Sequence, residues 1–223
     1  SLASVIGSIG TQIPAVQTIF DALSEGGSLE QGMVVIFFVM IGLLAACAGV
    51  QTVCRARQEE SRGTAELVRT APVDRVRWLG DYLVIAFVAV VLVAVSGITG
   101  AVIGVTGRQG DWSLARAALV AGAGQVAAAS VFVAITALVF VVAPRLTIAL
   151  GWTLVVLGVL LGLFGALFGL PEWLVNLSPL AQAPTVAGGA IDIKGLWWLI
   201  AAIVVGAGAS LTLMRRRELA SEG

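Results

Sequence analysis

The stretch YLVIAFVAVVLVAVSGITGAVIGVTG, residues 82–107, contains 26 consecutive positions without a charged side chain. A helix that crosses the hydrocarbon core of a bilayer needs about 20 mostly apolar residues, so this stretch is long enough to span a membrane. Because backbone N–H and C=O groups find no partner in lipid, it must form a helix rather than an isolated strand.

Four further stretches share this uncharged and continuously apolar character. A transmembrane β-barrel would instead show short segments of alternating polarity. The sequence therefore predicts an all-α polytopic membrane protein with five transmembrane helices, at residues 31–54, 78–107, 117–144, 146–169 and 195–214.

The composition of the whole chain agrees with a lipid environment and excludes several classes of function. Of its 223 residues, 59% are hydrophobic and 12% are charged, whereas a soluble domain carries about 25% charged residues. The net charge of zero argues against a nucleic-acid partner, which requires a basic surface. Because the chain has no histidine, mechanisms built on an imidazole base or metal ligand are excluded.

The remaining reactive groups predict no chemistry in this chain. Cys47 and Cys54 are seven residues apart on one predicted helix, which is too far for a disulfide. The only lysine, Lys194, does not belong to a G-x-x-x-x-G-K phosphate-binding loop. We therefore expect no catalytic residue, no metal ligand and no cofactor bound by the chain itself.

The basic residues predict how the chain is oriented. If residues 55–77 lie in the cytoplasm, ten of the thirteen basic residues fall inside and only Arg108, Arg116 and Lys194 fall outside. The excess of positive charge on cytoplasmic loops favours this arrangement. It also places the tail, residues 215–223, in the cytoplasm.

The first 30 residues have apolar side chains at helical spacing opposite a polar face. This pattern predicts an amphipathic helix at the outer membrane surface, although the end of an incomplete membrane span would look similar. The chain begins at Ser1 without a methionine or a signal peptide. We expect it to be part of a longer polypeptide.

The polar residues inside the predicted spans are hydroxyls and amides rather than ionisable groups. Ion-coupled carriers usually place carboxylates or histidines at mid-membrane depth, so another energy source is expected. The candidates for lining a path for large, mostly apolar cargo are Ser96, Thr99, Gln125, Ser130 and Thr136. Gln125 and Thr136 share one helical face, and hydrogen bonding between helices is the alternative role for that face.

Two glycine pairs with small-x-x-x-small spacing lie in the fourth predicted span. They are Gly158 with Gly162 and Gly165 with Gly169. Such pairs let helix backbones approach closely. They predict helix packing, and an interface that moves would use the same residues.

The segment between the first two spans carries the most specific motif. Glu59 and Glu60 can end the first helix, and Gly63 breaks it. Thr64 can cap a new short helix that Glu66 supports in its first turn. The segment therefore predicts a short helix on the inner membrane surface, and an ordinary charged loop is the alternative.

The run E-E-x-x-G-T-x-E-L at residues 59–67, followed by P-V-x-R at residues 72–75, resembles the coupling-helix signature of ATP-binding-cassette exporter permeases of the type-2 class. Within that class, Leu-Ser-Pro at residues 177–179 and the terminal residues 214–219 are similar to exporters of polyketide antibiotics such as tetronasin. Gln182 stands where that group is expected to carry a histidine.

The resemblance implies an architecture. The five spans would be the second to sixth of a six-span permease half, and residues 170–194 would form an outer re-entrant helical hairpin. The residues expected to couple the permease to an ATPase are Glu59, Glu60, Gly63, Thr64, Glu66, Leu67 and Arg69.

The resemblance also implies partners and a function. The chain would pair with a second permease half, either the N-terminal half of the same polypeptide or a homologous copy, in the bacterial cell membrane. A dimer of ABC ATPase subunits would bind ATP and Mg beneath the two halves. The cargo would be a lipophilic drug or antibiotic. The alternatives are lipid or peptide cargo, or a membrane assembly or regulatory subunit that transports nothing.

Overall fold

The computed structural model describes residues 29–61, 75–106, 112–165, 168–187 and 190–221. Five long helices dominate this part of the chain, and a short helix and a two-stranded sheet lie between the last two long helices. In chain order the elements are α1 (Leu29–Ser61), α2 (Arg75–Thr106), α3 (Trp112–Val142), a 3-10 turn (Pro144–Leu146), α4 (Thr147–Phe164), α5 (Glu172–Val175), β1 (Thr185–Ala187), β2 (Ala190–Asp192) and α6 (Lys194–Ser221).

All five predicted membrane helices are confirmed. The helices long and apolar enough to cross a bilayer include Ile36–Ser61, Arg75–Gly104, Ala115–Val142, Pro144–Phe164 and Lys194–Arg216. Large apolar side chains such as Val84, Leu92 and Val205 are exposed along them, which is favourable only where the surrounding solvent is lipid. The chain is a multi-pass membrane protein.

The long helices run antiparallel to their neighbours in the chain, so each end of the bundle collects a distinct set of residues. We call the end that carries Ser61, Arg75 and Arg145 the basic end. At 33 residues, α1 is about 50 Å long, whereas the hydrocarbon core is about 30 Å thick. Helix α1 therefore extends beyond the membrane core.

Helix α3 lies at the centre of the bundle. In an 18-residue apolar stretch of α3, 67% of the residues are buried, whereas 17–39% are buried in the corresponding stretches of the other four spans. Small residues allow this central position, because they let helix backbones approach closely. For example, a Cβ atom on Gly206 of α6 would lie 3.1 Å from the Cβ of Ala134 in α3.

The connection between α3 and α4 is very short. Pro144 has no N–H to continue the hydrogen-bond ladder of α3, and the helix ends at Val142. A single 3-10 turn follows, in which the Thr147 hydroxyl donates a hydrogen bond to the Pro144 carbonyl over 3.0 Å. The two helices are therefore neighbours of opposite direction.

The 170–194 segment folds back into the bundle at the end opposite the basic end. Ser178 is 1% exposed, and its hydroxyl donates a hydrogen bond to the Gly158 carbonyl over 2.7 Å. Gly158 lies six residues before the end of α4, which places this contact about 9 Å inside the helix end. The segment is re-entrant in this sense.

The secondary structure of this segment differs from the predicted helical hairpin. Only the single turn of α5 is helical, and β1 pairs antiparallel with β2, with Val186 opposite Ile191. Proline limits helix here, because a residue that precedes proline is disfavoured in the α region and proline itself donates no hydrogen bond. The segment contains Pro171, Pro179 and Pro184.

Two predicted segments fall mainly or partly outside the described residues. The amphipathic helix proposed for residues 1–30 lies outside them except for Leu29 and Glu30, which begin α1. Residues 62–74, which connect α1 to α2 and contain most of the predicted coupling helix, also lie outside them.

Candidate functional site

The basic end holds a hydrogen bond between the two helices that flank residues 62–74. The phenol of Tyr82, on α2, donates this bond to a carboxylate oxygen of Glu59, on α1, over 2.5 Å. Glu59 is two residues before the end of α1, and Tyr82 is seven residues after the start of α2. The bond therefore ties the two helices together close to the ends that the 62–74 segment joins.

An aromatic cluster continues from this hydrogen bond toward α3. The ring centroid of Trp78 lies 5.0 Å from that of Tyr82 and 6.1 Å from that of Phe140, on α3. Phe140 and Leu79 are completely buried. The basic end of α2 is therefore fixed on one side to α1 and on the other to the central helix.

A second polar contact stabilises the last turns of α1. Arg57 donates to a carboxylate oxygen of Glu60 over 3.0 Å, three residues apart on the same helix. Both side chains are about a quarter exposed, and pairs of this kind stabilise a helix by about 0.2–0.5 kcal/mol. This ion pair adds modestly to the stability of α1 near its end.

The surface around these contacts is mainly basic. The exposed charged side chains described at this end include five arginines, at 55, 77, 145, 215 and 216, and the carboxylate of Asp81. This excess of positive charge can attract an acidic partner surface or anionic lipid headgroups.

Two of the seven predicted coupling residues lie in the described part of the chain. Glu59 and Glu60 lie in the last turn of α1, where each makes the polar contact given above. Gly63, Thr64, Glu66, Leu67 and Arg69 lie outside the described residues. The coupling helix stays a prediction, while its two flanking helices are seen to be joined.

The five residues predicted to line a cargo path fall into two groups. Gln125, Ser130 and Thr136 are buried in α3. The hydroxyls of Ser130 and Thr136 donate to carbonyls of their own helix, each over 2.7 Å. Ser96 and Thr99 are exposed on α2 and bond in the same way. One group is buried and the other exposed, and the role of both in a path stays a prediction.

Gln125 differs from the other four because its amide oxygen is buried without a hydrogen-bond partner in the described part of the chain. The side chain is 3% exposed and lies against Gly42 of α1, where a Cβ atom would overlap it. Such a group forgoes its hydrogen bonds to water without a replacement.

The four glycines predicted to serve packing have different surroundings. A Cβ atom on Gly158 would lie 2.5 Å from a ring carbon of Phe132 in α3, and one on Gly162 would lie 2.7 Å from the Ser178 hydroxyl. One on Gly165 would lie 2.7 Å from Val175. Gly169 meets no atom within 4 Å and has φ of +64°, so it serves a turn.

The sequence did not indicate that Tyr82 belongs to the site, that Trp78 contacts Tyr82, or that Ser178 is buried. One signal for Tyr82 was available, because it is the only tyrosine in the chain and begins the apolar run of α2. A phenol at a membrane boundary usually keeps its hydroxyl bonded to a polar partner. Glu59 could not be identified as that partner from sequence, since 23 residues separate the two.

Residues 1–215 match the family model of the multidrug efflux system permease Rv1217c, C-terminal domain. The chain is 34% identical over 229 residues to the multidrug efflux system permease protein Rv1217c of Mycobacterium tuberculosis. That alignment covers 98% of this chain and 40% of the relative, so the chain spans about two fifths of the relative's length. The resemblance to exporter permeases is confirmed, and the chain belongs to the family of the C-terminal domain of the multidrug efflux permease Rv1217c.

Proposed function

We propose that this chain is the C-terminal, membrane-spanning half of a permease that moves lipophilic drugs or antibiotics out of the cell. The observation that carries the proposal is the match of residues 1–215 to the C-terminal domain of a multidrug efflux permease. The five apolar helices support it, because they supply a membrane domain of the kind that an exporter requires. This chain corresponds to 40% of the relative, and the relative's other residues are numerous enough to form a second permease half.

The energy for export is proposed to come from ATP hydrolysis in partner subunits, so that the permease itself is not an enzyme. Two ABC ATPase subunits would bind ATP and Mg and dock at the basic end through residues 59–69. The absence of a phosphate-binding loop from the sequence supports this division of labour. The uncharged interiors of the spans support it too, because a proton or sodium relay would need ionisable groups there.

The proposed setting is a bacterial cell membrane with the basic end and the C-terminus in the cytoplasm. Arg55, Arg77, Arg145, Arg215 and Arg216 are exposed at this one end. Cytoplasmic loops carry an excess of arginine and lysine. ATPase subunits in the cytoplasm would then face the same end as residues 62–74.

The experiment that tests the proposal uses the whole permease that contains this chain, produced together with its ATPase in drug-sensitive bacteria. We expect energised cells to accumulate less of a fluorescent lipophilic dye than cells that carry the same permease with an ATPase unable to hydrolyse ATP. We also expect the purified assembly to hydrolyse ATP faster when dye is added.

Three results would point elsewhere. Equal dye accumulation in the two strains would overturn drug export. Hydrolysis that responds to lipid or peptide but not to dye would indicate a different cargo. If no ATPase remains bound to the permease after mild detergent extraction and the dye is not exported, an assembly or regulatory role would be indicated instead.

A further inference from the structure

The contacts at the basic end connect the last turn of α1 and the first turns of α2 to the centre of the bundle. Helix α2 extends seven residues beyond Tyr82 toward that segment, and α1 extends two residues beyond Glu59. These lengths correspond to about 10 Å and 3 Å. A force applied to the two helix ends therefore acts on a pair of helices that are already joined by the Glu59–Tyr82 hydrogen bond.

This hydrogen bond is exposed, and its acceptor is a carboxylate. A bond from a neutral donor to a carboxylate is about twice as strong as one between neutral groups. The Tyr82 ring contacts Trp78 whether or not the hydroxyl is present, so the polar link can be removed alone.

The link reaches α3 through Trp78. This side chain contacts Tyr82 on one side and the completely buried Phe140 on the other. Closely packed side chains transmit a displacement rather than absorb it, and interfaces of this kind change between discrete arrangements. Since α3 packs at the centre of the bundle, a displacement of Phe140 also displaces the helices that pack around α3.

We propose that Tyr82 is a positioning residue, and that its hydrogen bond to Glu59 makes the basic ends of α1 and α2 move together and carry that movement into α3. The inference rests on the proposed ATP-driven export. It adds to that function a specific pair of side chains that sets how much export each ATP yields. Without the link, we expect the basic ends of α1 and α2, which are still packed together farther along the helices, to move less closely together, so that ATP is hydrolysed with less transport.

The test measures dye export and ATP hydrolysis together in the full assembly reconstituted in lipid vesicles. Tyr82→Phe removes one oxygen and keeps the ring against Trp78, and Glu59→Ala removes the acceptor. We expect each to lower the number of dye molecules exported per ATP by about tenfold, the effect of losing one charge-assisted hydrogen bond. For Tyr82→Phe, which lies outside residues 59–69, we expect ATP hydrolysis to stay within about twofold of the parent.

Three further variants separate coupling from general damage. Glu59→Gln keeps an acceptor oxygen, and we expect it to restore most of the export per ATP. The double variant Tyr82→Phe with Glu59→Ala should be no worse than either single variant, because both remove the same interaction. Asp81→Asn is the matched control, since Asp81 is an exposed carboxylate on the neighbouring residue of α2, and we expect no change.

The outcomes distinguish this inference from the function on which it rests. Parental export per ATP in Tyr82→Phe and in Glu59→Ala would overturn the role of the pair while leaving ATP-driven export intact. Effects that add in the double variant would also overturn it. If the parent assembly itself shows no ATP-driven export, the proposed function and this inference fall together. If Tyr82→Phe does not insert, the comparison of Glu59→Ala with Glu59→Gln decides alone.

Discussion

At the scale of single residues, Gln125 is the described residue whose polar side chain fits its buried position least well. A buried polar group that lacks a hydrogen bond costs about 1–3 kcal/mol, and Gln125 is 3% exposed with an unpartnered amide oxygen in the described part of the chain. We expect Gln125→Leu to raise the melting temperature of the purified chain, by about 2–4 °C for each kcal/mol gained. Thermal unfolding in detergent, followed by tryptophan fluorescence, measures this.

Thr136→Val is the matched control for that prediction. Its hydroxyl already donates to the Phe132 carbonyl within the same helix, and that carbonyl keeps its place in the helical ladder. We therefore expect little change in melting temperature. A lower melting temperature for Gln125→Leu would show instead that the amide makes a stabilising bond between helices, the alternative role considered for this face.

At the scale of elements, the 170–194 segment depends on one buried hydrogen bond for its place against α4. The Ser178 hydroxyl donates to the Gly158 carbonyl over 2.7 Å, and Gly162 leaves room for Ser178. We expect Ser178→Ala to cost about 1 kcal/mol locally and to speed amide hydrogen exchange in residues 170–187. Exchange measured by mass spectrometry, with the protein in lipid nanodiscs, reports this.

The control is Ser210→Ala, in which the lost hydroxyl is equally buried but bonds to the carbonyl of Ala207 in its own helix. It should leave the exchange of the 170–194 segment as in the parent. Unchanged exchange in Ser178→Ala would mean that apolar packing alone, such as that of Leu180, holds the segment.

At the scale of the whole molecule, the distribution of arginine predicts which end faces the cytoplasm. The native thiols of Cys47 and Cys54 are free, so both are first replaced by alanine. Single cysteines are then introduced at two exposed positions, Leu177 and Arg77. We expect a membrane-impermeant thiol reagent to label position 177 in intact cells and position 77 only after the cells are opened. The reverse pattern would place the basic end outside and remove the basis for docking a cytoplasmic ATPase there.

The helices were predictable because the requirement that fixes them is local. A run of apolar residues in lipid must satisfy its backbone within itself, so each run identifies its own helix. The 170–194 segment was not predictable in the same way, since prolines limit helix formation there and its place is set by a contact 20 residues away along the chain, from Ser178 to Gly158.

The candidate site was predictable only to the extent that it rests on a motif. Glu59 and Glu60 were found as part of a recognisable run of sequence. The partner of Glu59 was not, because pairing between helices depends on how they rotate against each other. The central place of α3 has a similar origin, as its small residues are compatible with a central helix without specifying one.

The three-residue turn between α3 and α4 has a consequence for how the protein is made. A 3-10 turn of Pro144–Leu146 spans only about 6 Å, far less than the thickness of a bilayer. The end of α3 and the start of α4 therefore lie at the same face of the bilayer, with Arg145 between them. Once α3 has entered the bilayer, α4 must begin to insert at that face, directly beside it. Because closing so short a connection costs little conformational entropy, α4 can pack on α3 as soon as it is in lipid, before α6 has been made.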